Sequence, residues 1–362
     1  MSGRAFAVLA GGGTGGHVYP AISLAEELVA RGHDRSAIRF VGSRRGPEGR
    51  VVPAAGFHVD LLPGRGLQRR DLLANVGVVW QTVVAFVRSL VIVARSRPRV
   101  VVGFGGYASL PCVVAAWCCR VPRVVHEQDA VMGLANRIGA RLGAHVAASL
   151  PGVDAPGVTL TGNPVRPEFR DLARGPQQPP LVAAFGGALG AATINRAVLG
   201  LYERWRDRRD VAVHHVTGPR NEAECSARLE ALRRPGDALA YTLVGYEEHM
   251  PEVMARASVA VCRAGAGTVA ELTAAGLPAV LVPLPGAPSD HQRRNARTLA
   301  DGGAAVVVPD DECDAQRLDD VLSDLLRDPD RLEAMSRRAR ALARPDAAAR
   351  LADLVEEVAR GR

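Results

Sequence analysis

The sequence predicts an α/β protein of two Rossmann-like parallel-sheet domains facing each other across a cleft. Three observations predict it. Residues 5–10 read as a buried strand, followed by Gly11-Gly12-Gly13-Thr14-Gly15-Gly16-His17 and a helix to about Arg31; strand, glycine loop and helix in that order make a backbone cradle for phosphate. The same order recurs with a strand at 181–185, the loop Gly186 to Ala191 and a helix through Leu199. Between the two, residues 166–180 are rich in Pro, Arg and Gln and read as a linker. The expected domains are therefore 1–165 and 181–346, with a last helix at 347–362 packing back on the first.

The totals fit that picture. A chain of 362 residues most naturally makes two domains, and a 48% apolar share with only 4% aromatic suits a well-buried α/β protein. Every basic residue is arginine, which excludes a lysine Schiff base, a lysine general base and a P-loop GK[ST]. The net charge of +7 is uneven, with 18 arginines against 9 acids up to residue 165 and 27 against 29 beyond. A basic first half points to an anionic partner there, a phospholipid surface or a diphosphate. Nucleic acid is not expected, because no basic run carries interleaved aromatics. Cys112, Cys118, Cys119, Cys225, Cys262 and Cys313 follow no metal spacing, and the opening residues show no signal-peptide pattern. They are expected as small core residues in a reducing cytoplasm.

Along the first half, Ile22, Ala25 and Val29 make one apolar stripe after the glycine loop. Gly11, Gly13 and Gly16 also satisfy GxGxxG, so an NADP site is an alternative. The second strand (38–41) runs into Gly42-Ser43-Arg44-Arg45, without the usual ribose-binding acid but able to hold a 2′-phosphate. His17 is placed either to cap the helix or to take a proton from a sugar hydroxyl. The stretch 72–94 is strongly apolar and is preceded by Arg65, Arg69 and Arg70 and followed by Arg95, Arg97 and Arg99. It reads as a helix partly packed on a sheet and partly offering Trp80, Val84 and Phe86 to a bilayer interface; a core helix is the other reading. A strand at 99–102 leads into a second glycine loop, Gly103 to Ser109, and a strand at 123–125 leads into His126-Glu127-Gln128-Asp129. Polar groups at the carboxyl end of a parallel strand are where open α/β sheets bind ligands.

The densest chemistry lies at 257–297. A buried strand at 258–261, the turn Arg263-Ala264-Gly265-Ala266-Gly267 and a helix at 268–275 stopped by Gly276 and Pro278 place free N–H groups and a positive dipole where a diphosphate can sit without a metal. Glu271 lies one turn in, suited to accept from the vicinal hydroxyls of a ribose, or else is simply solvated on a helix face. After a strand at 279–282, Asp290, His291, Gln292 and Asn295 are groups of the kind that read sugar hydroxyls.

In order along the chain, GGGTGGHVYPAISLA (11–25), GFGGYASLP (103–111), HEQDAVMGLANR (126–137), GNPVR (162–166), GGALGAATIN (186–195), CRAGAGTVAE (262–271) and DHQRRNA (290–296) resemble the MurG family, the lipid-linked N-acetylglucosaminyltransferases of glycosyltransferase family 28. The resemblance covers essentially the whole chain. It implies an inverting, two-domain GT-B enzyme of peptidoglycan synthesis that moves N-acetylglucosamine from UDP-GlcNAc to undecaprenyl-linked lipid I, giving lipid II, at the cytoplasmic face of the membrane as a peripheral protein. It implies no cofactor and no metal for transfer. The one DxD-like triplet, Asp328-Pro329-Asp330, stands at the start of a late helix and reads as a cap.

Carried over motif by motif, the resemblance implies that Ala266, Gly267, Thr268 and Glu271 hold the donor's phosphates and ribose, and Gln292 its sugar. Glu247 would contact uracil through backbone, and Arg166 would help at the cleft. Thr14, Gly15 and Gly16 would line the cleft, Tyr107 would face the acceptor's diphosphate, and His17 or Asp129 would take the proton of the acceptor hydroxyl. Three departures stand out. The family's HEQN is HEQD here, putting Asp129 where an amide is usual; GGSxGA is GGALGA, removing a hydroxyl at Ala188; and RSGA is RAGA at Ala264. They keep open a GT-B glycosyltransferase with another donor or acceptor, as in secondary metabolism. A nucleotide-sugar epimerase or NADP enzyme is a further alternative, and a non-catalytic membrane-surface binding protein another.

Overall fold

Short runs of Val, Ala, Leu and Gly make the strands, and several in the middle of the sheets are buried at every position, as parallel sheets covered by helices on both faces require. The computed structural model describes residues 4–63, 74–175, 177–187 and 189–361, without the side chains of 74–79. Arg65, Arg69, Arg70 and Ala188 lie outside the described residues. The chain forms two units, one of residues Met1–Arg166 with Arg344–Arg362 and one of Pro167–Ala343.

In the first unit the strands are β1 (Ala7–Gly12), β2 (Ile38–Ser43), β3 (His58–Leu62), β4 (Val100–Gly106), β5 (Arg123–Glu127), β6 (His145–Ala148) and β7 (Thr159–Leu160). They form one parallel sheet in the order β3-β2-β1-β4-β5-β6-β7. Between them run α1 (Gly15–Ala30), α2 (Glu48–Ala54), α3 (Ala74–Ser96), α4 (Ser109–Cys118) and α5 (Leu134–Arg141). The order reverses between β1 and β4, and that switch point is where a ligand crevice forms at the carboxyl ends of the strands.

The second unit opens with α6 (Pro167–Arg170) and carries β8 (Leu181–Phe185), β9 (Ala212–Val216), β10 (Ala240–Val244), β11 (Ala257–Cys262), β12 (Ala279–Leu281) and β13 (Ala305–Val307). Its parallel sheet runs β10-β9-β8-β11-β12-β13, with the switch point between β8 and β11. Its other helices are α7 (Ala192–Trp205), α8 (Glu222–Leu232), α9 (Met250–Arg256), α10 (Ala266–Ala275), α11 (His291–Asp301), α12 (Ala315–Leu326) and α13 (Pro329–Leu342). The final helix, α14 (Ala347–Arg360), buries Leu351, Val355 and Val358 in the first unit's core with Leu24 and Leu28 of α1. Arg31 ties that packing down through Glu27, Asp353 and Glu356.

Three expectations need correction. The segment 166–180 is not a free linker over its first part: Phe169 is fully buried in the second unit's core, and Arg174 donates to the carbonyls of Ala257 and Gly276 and to the Ser336 hydroxyl. Its Pro- and Arg-rich composition hid one aromatic anchor. On α3 the outward face is Trp80, Val83, Val87 and Val91 rather than Trp80, Val84 and Phe86. Phe86 packs against the cluster that contains Ala85, Val93 and Cys112. Cys118 is exposed and Cys119 partly so, while the other four cysteines are buried.

Candidate functional site

Two glycine loops meet at the switch point of the first sheet. Gly12 pairs with Gly106 across β1 and β4. The approach is so close that a methyl group on Gly106 would stand 2.1 Å from the Gly12 carbonyl oxygen. Position 106 therefore needs glycine. Into the gap comes His17, at the third position of α1: a methyl on Gly106 would lie 3.1 Å from its Nδ1, and one on Gly105 would lie 3.4 Å from its Nε2.

Thr14 is the N-cap of α1, yet its side chain makes no bond to the helix backbone. Its hydroxyl instead lies 3.1 Å from His17 Nδ1. The Thr14 side chain thus leaves the first-turn N–H groups of Gly15 and Gly16 to other partners and orients the imidazole.

Beneath the loop sits Glu48, which is 1% exposed. Its Oε1 accepts the Gly13 N–H at 2.7 Å. Burial pushes its carboxyl above the usual range, against the pull of backbone N–H groups that include those of Gly13 and Ser43. An NADP diphosphate would need the N–H groups of this loop and would meet a carboxyl already holding one of them, so the GxGxxG reading loses its physical basis.

On the other side of β4, β5 ends in His126 and Glu127. Glu127 accepts the N–H groups of Asp129 (3.1 Å) and Gly133 (2.8 Å) and the amide of Asn136 (2.9 Å), shaping the loop that presents Asp129 and leads into α5. Burial raises the Glu127 carboxyl, and Asp129 nearby adds to that. His126 is fully buried between the Gly162 carbonyl and Gln128, and burial pushes it down to about 4. Tyr107 turns its hydroxyl to the Pro63 carbonyl, so any role at an acceptor diphosphate falls to its backbone and ring. Arg166 lies over the Tyr19 ring, 4.8 Å from its centroid.

In the second unit the matching place is the N-terminus of α10. Gly265 is its N-cap, without a side chain, and methyl groups on Gly265 or Gly267 would meet nothing within 4 Å. Ala266, Gly267 and Thr268 form the first turn, and Glu271 falls on the same face as Gly267 and Thr268. Glu271 is partly exposed. The helix ends as its sequence predicts, with Gly276 left-handed at φ +64°.

The turn that feeds α10 is braced from below. Arg263 is buried, with its guanidinium 2.5 Å from Asp310 and on the carbonyls of Val282 and Pro283. Asn295, expected to read a sugar, is wholly buried and donates to the Ala264 carbonyl at 3.0 Å, so it holds the turn instead. Gln292 remains partly exposed on the first turn of α11, and its Oε1 accepts the Leu284 N–H at 3.0 Å. Glu247 lies in the loop after β10, where its carboxylate is 2.9 Å from His214 Nε2 and accepts the His249 N–H.

Asp328 caps α13 by accepting the Arg331 N–H at 2.9 Å, which accounts for the DxD-like triplet. Among the described residues no group of three or more His, Cys, Asp or Glu stands ready for a metal ion. Glu48 lies in none of the motifs, and the motif at 126–137 contains Glu127 and Asn136 without showing that they shape its loop. Their only signal was a carboxylate or amide in a run due to be buried.

Residues 181–351 match the model of the glycosyltransferase family 28 C-terminal domain and residues 7–148 that of the N-terminal domain. The chain is 42% identical to a UDP-N-acetylglucosamine–N-acetylmuramyl-(pentapeptide) pyrophosphoryl-undecaprenol N-acetylglucosamine transferase of Alkalilimnicola ehrlichii, over 96% of this chain and 98% of that one. It is 39% identical to the protein of the same name from Pseudomonas putida, over 97% of each. Among solved structures it is similar to MurG of Acinetobacter baumannii, with a TM-score of 0.77, 27% identity and coverage of 98% of this chain and 100% of that one.

Proposed function

The chain belongs to glycosyltransferase family 28, and from that premise we propose that it transfers N-acetylglucosamine, with inversion, from UDP-GlcNAc to the C4 hydroxyl of undecaprenyl-diphosphate-linked MurNAc-pentapeptide, giving lipid II. The observation that carries this reading is the space beside Gly265 and Gly267 at the start of α10, with Glu271 one turn further on the same face. That arrangement suits a nucleoside diphosphate: backbone N–H groups at 266–268 for the phosphates, a carboxylate for two ribose hydroxyls.

In this reading Gln292 meets the sugar, the backbone at Glu247 meets uracil, and Arg166 helps to bind the substrates. Ala188 stands in the sequence where the family carries a hydroxyl expected near the phosphate. The first unit takes the acceptor, with Thr14, Gly15 and Gly16 lining its site, Tyr107 at its diphosphate end and His17 near the reacting hydroxyl. His17 takes the hydroxyl proton, the C4 oxygen bonds to the anomeric carbon, and the bond from that carbon to the diphosphate oxygen breaks with its electron pair leaving on UDP. The dipole of α10 stabilises that charge in place of a metal ion, and no cofactor takes part. Asp129 is the second candidate base.

The exposed Trp80, Val83, Val87 and Val91 of α3 and Trp117 of α4, with Arg88 and Arg95 among them, suit an anionic membrane surface. No helix among the described residues is long and apolar enough to cross a membrane. The protein then works peripherally at the cytoplasmic face, and nucleic acid is not a partner.

Asp129 favours a second reading, a different donor or acceptor on the same scaffold, since an ionised carboxylate only accepts hydrogen bonds where an amide would also donate. A competition assay decides between them. UDP release that depends on a short-chain lipid I analogue and is fastest with UDP-GlcNAc supports the first reading; release only with another UDP- or dTDP-sugar supports the second.

A further inference from the structure

Glu48 is a carboxyl buried where stability alone gives no reason for one. It begins α2, which follows β2 in the chain, and lies 35 residues from Gly13 in sequence. Three glycines clear the space it fills. A methyl at Gly46 would stand 2.0 Å from its Oε2, one at Gly42 2.7 Å from its Cβ, and one at Gly12 3.2 Å from its Oε1. Oε1 holds the Gly13 N–H, while Oε2 is buried with no hydrogen-bond partner among the described residues. A buried polar atom without a partner is a standing cost, and such atoms concentrate where function demands them.

What that carboxyl grips is the turn itself. Gly13 has φ +98° and nothing within 4 Å of where a side chain would be, so sterics do not hold it in place. Its N–H is held by Glu48 Oε1 at 2.7 Å. The next residue is Thr14, whose hydroxyl meets His17 Nδ1. A chain of two hydrogen bonds therefore runs from Glu48 through the Gly13–Thr14 backbone to the imidazole.

We propose that Glu48 is a positioning residue for the acceptor side of the reaction, its buried carboxyl fixing the Gly13 turn and thereby the placement of Thr14 and His17. The proposal rests on the acceptor reading of the first unit given above. Glu48 touches neither substrate. Gln at this position keeps an oxygen for the Gly13 N–H, Asp is one methylene too short to reach it, and Ala removes it.

The test compares full-length wild type with Glu48→Gln, Glu48→Asp and Glu48→Ala in two measurements. One is steady-state kinetics with UDP-GlcNAc and a short-chain lipid I analogue. The other is amide hydrogen exchange of the peptide spanning residues 12–17, which needs no turnover. Loss of one buried hydrogen bond at this turn predicts that Ala and Asp lower kcat/KM for the acceptor by about tenfold or more. The donor KM should stay within about twofold, exchange in the 12–17 peptide should speed up, and Gln should behave like wild type in both readouts. Should the Ala variant fail to fold, the Asp and Gln pair makes the same comparison. Unchanged exchange in folded Ala or Asp variants overturns the proposal. So does a loss that falls equally on donor and acceptor and is not rescued by Gln, since that is what a purely structural role would give. If wild type itself does not turn over, the acceptor reading fails, and the exchange measurement alone decides whether Glu48 sets the loop.

Discussion

Thr14 Oγ1 lies 3.1 Å from Nδ1 of His17, so the Thr14 side chain meets the imidazole instead of capping the backbone of α1. If His17 is the base, His17→Ala lowers kcat by about 10²–10⁴ without unfolding the protein. Thr14→Ser should keep most activity and Thr14→Ala should lose part of it. Wild-type turnover in the His17 variant would remove the imidazole from the chemistry.

The two glycines on either side of His17 should not be equivalent. Gly106→Ala drives a methyl to 2.1 Å from the Gly12 carbonyl at φ +72°, whereas Gly13→Ala at φ +98° meets open space. Urea unfolding should show the first variant losing at least about 2 kcal/mol and the second about 1 kcal/mol. Equal losses would mean that β1 and β4 do not approach as closely as described.

Two buried histidines make the fold sensitive to acid. His126 Nε2 faces the Gly162 carbonyl while Gln128 approaches Nδ1, and His215 stands between Asn195 Oδ1 and the Tyr241 hydroxyl. Both sets of partners suit a neutral ring, and burial pushes each pKa down to about 4. Because the folded value lies below the unfolded one of about 6.5, the unfolded chain binds more protons between the two. Each histidine's contribution is thus complete above about pH 6.5 and is lost as the pH falls towards 4, at up to about 1.4 kcal/mol per unit. Glu48 and Glu127, raised by burial, run the opposite way, losing their contribution as the pH rises. Urea melts at pH 7 and pH 5 on wild type and His215→Gln isolate the histidine effect. The variant should lose less stability than wild type on acidification, and an identical loss would contradict a neutral buried ring.

Glu271 should act on the donor alone. Its removal in Glu271→Ala takes two hydrogen bonds from a ribose and should raise the UDP-GlcNAc KM by about 10- to 100-fold, leaving the acceptor KM in place. Calorimetry with UDP gives the same answer without turnover. Unaltered UDP affinity would take Glu271 off the ribose.

The outward face of α3 predicts a membrane effect. Replacing exposed Val83, Val87 and Val91 by Ser should release the protein from vesicles containing anionic lipid, while Phe86→Ser should chiefly unfold the first unit, because Phe86 packs inward. Undiminished pelleting of the triple variant would place the membrane contact elsewhere.

The parts of the site legible from the sequence were those carried by local backbone: the glycine loops after β1 and β4, and the turn and stop of α10. Glycine spacing and the Gly276 cap are short-range signals, readable without knowing which strands pair. Glu48, Glu127 and Asn295 were not legible in their roles, because each reaches a backbone group fixed by another strand, and a carboxylate or amide due to be buried looks in sequence like one that faces solvent. Phe169 was lost in a Pro- and Arg-rich stretch for the same reason, one aromatic anchor outweighing the composition around it. The face of α3 was misjudged because apolar residues occur all round that helix, and only its packing against α4 and the sheet decides which side is buried.

The most direct test of the central claim is the product formed from UDP-GlcNAc and a short-chain lipid I analogue. The account predicts UDP released in step with a lipid-linked disaccharide in which N-acetylglucosamine is joined β to the C4 oxygen of the MurNAc residue. Folded protein that binds no UDP-GlcNAc, or that releases UDP without forming that linkage, would contradict it.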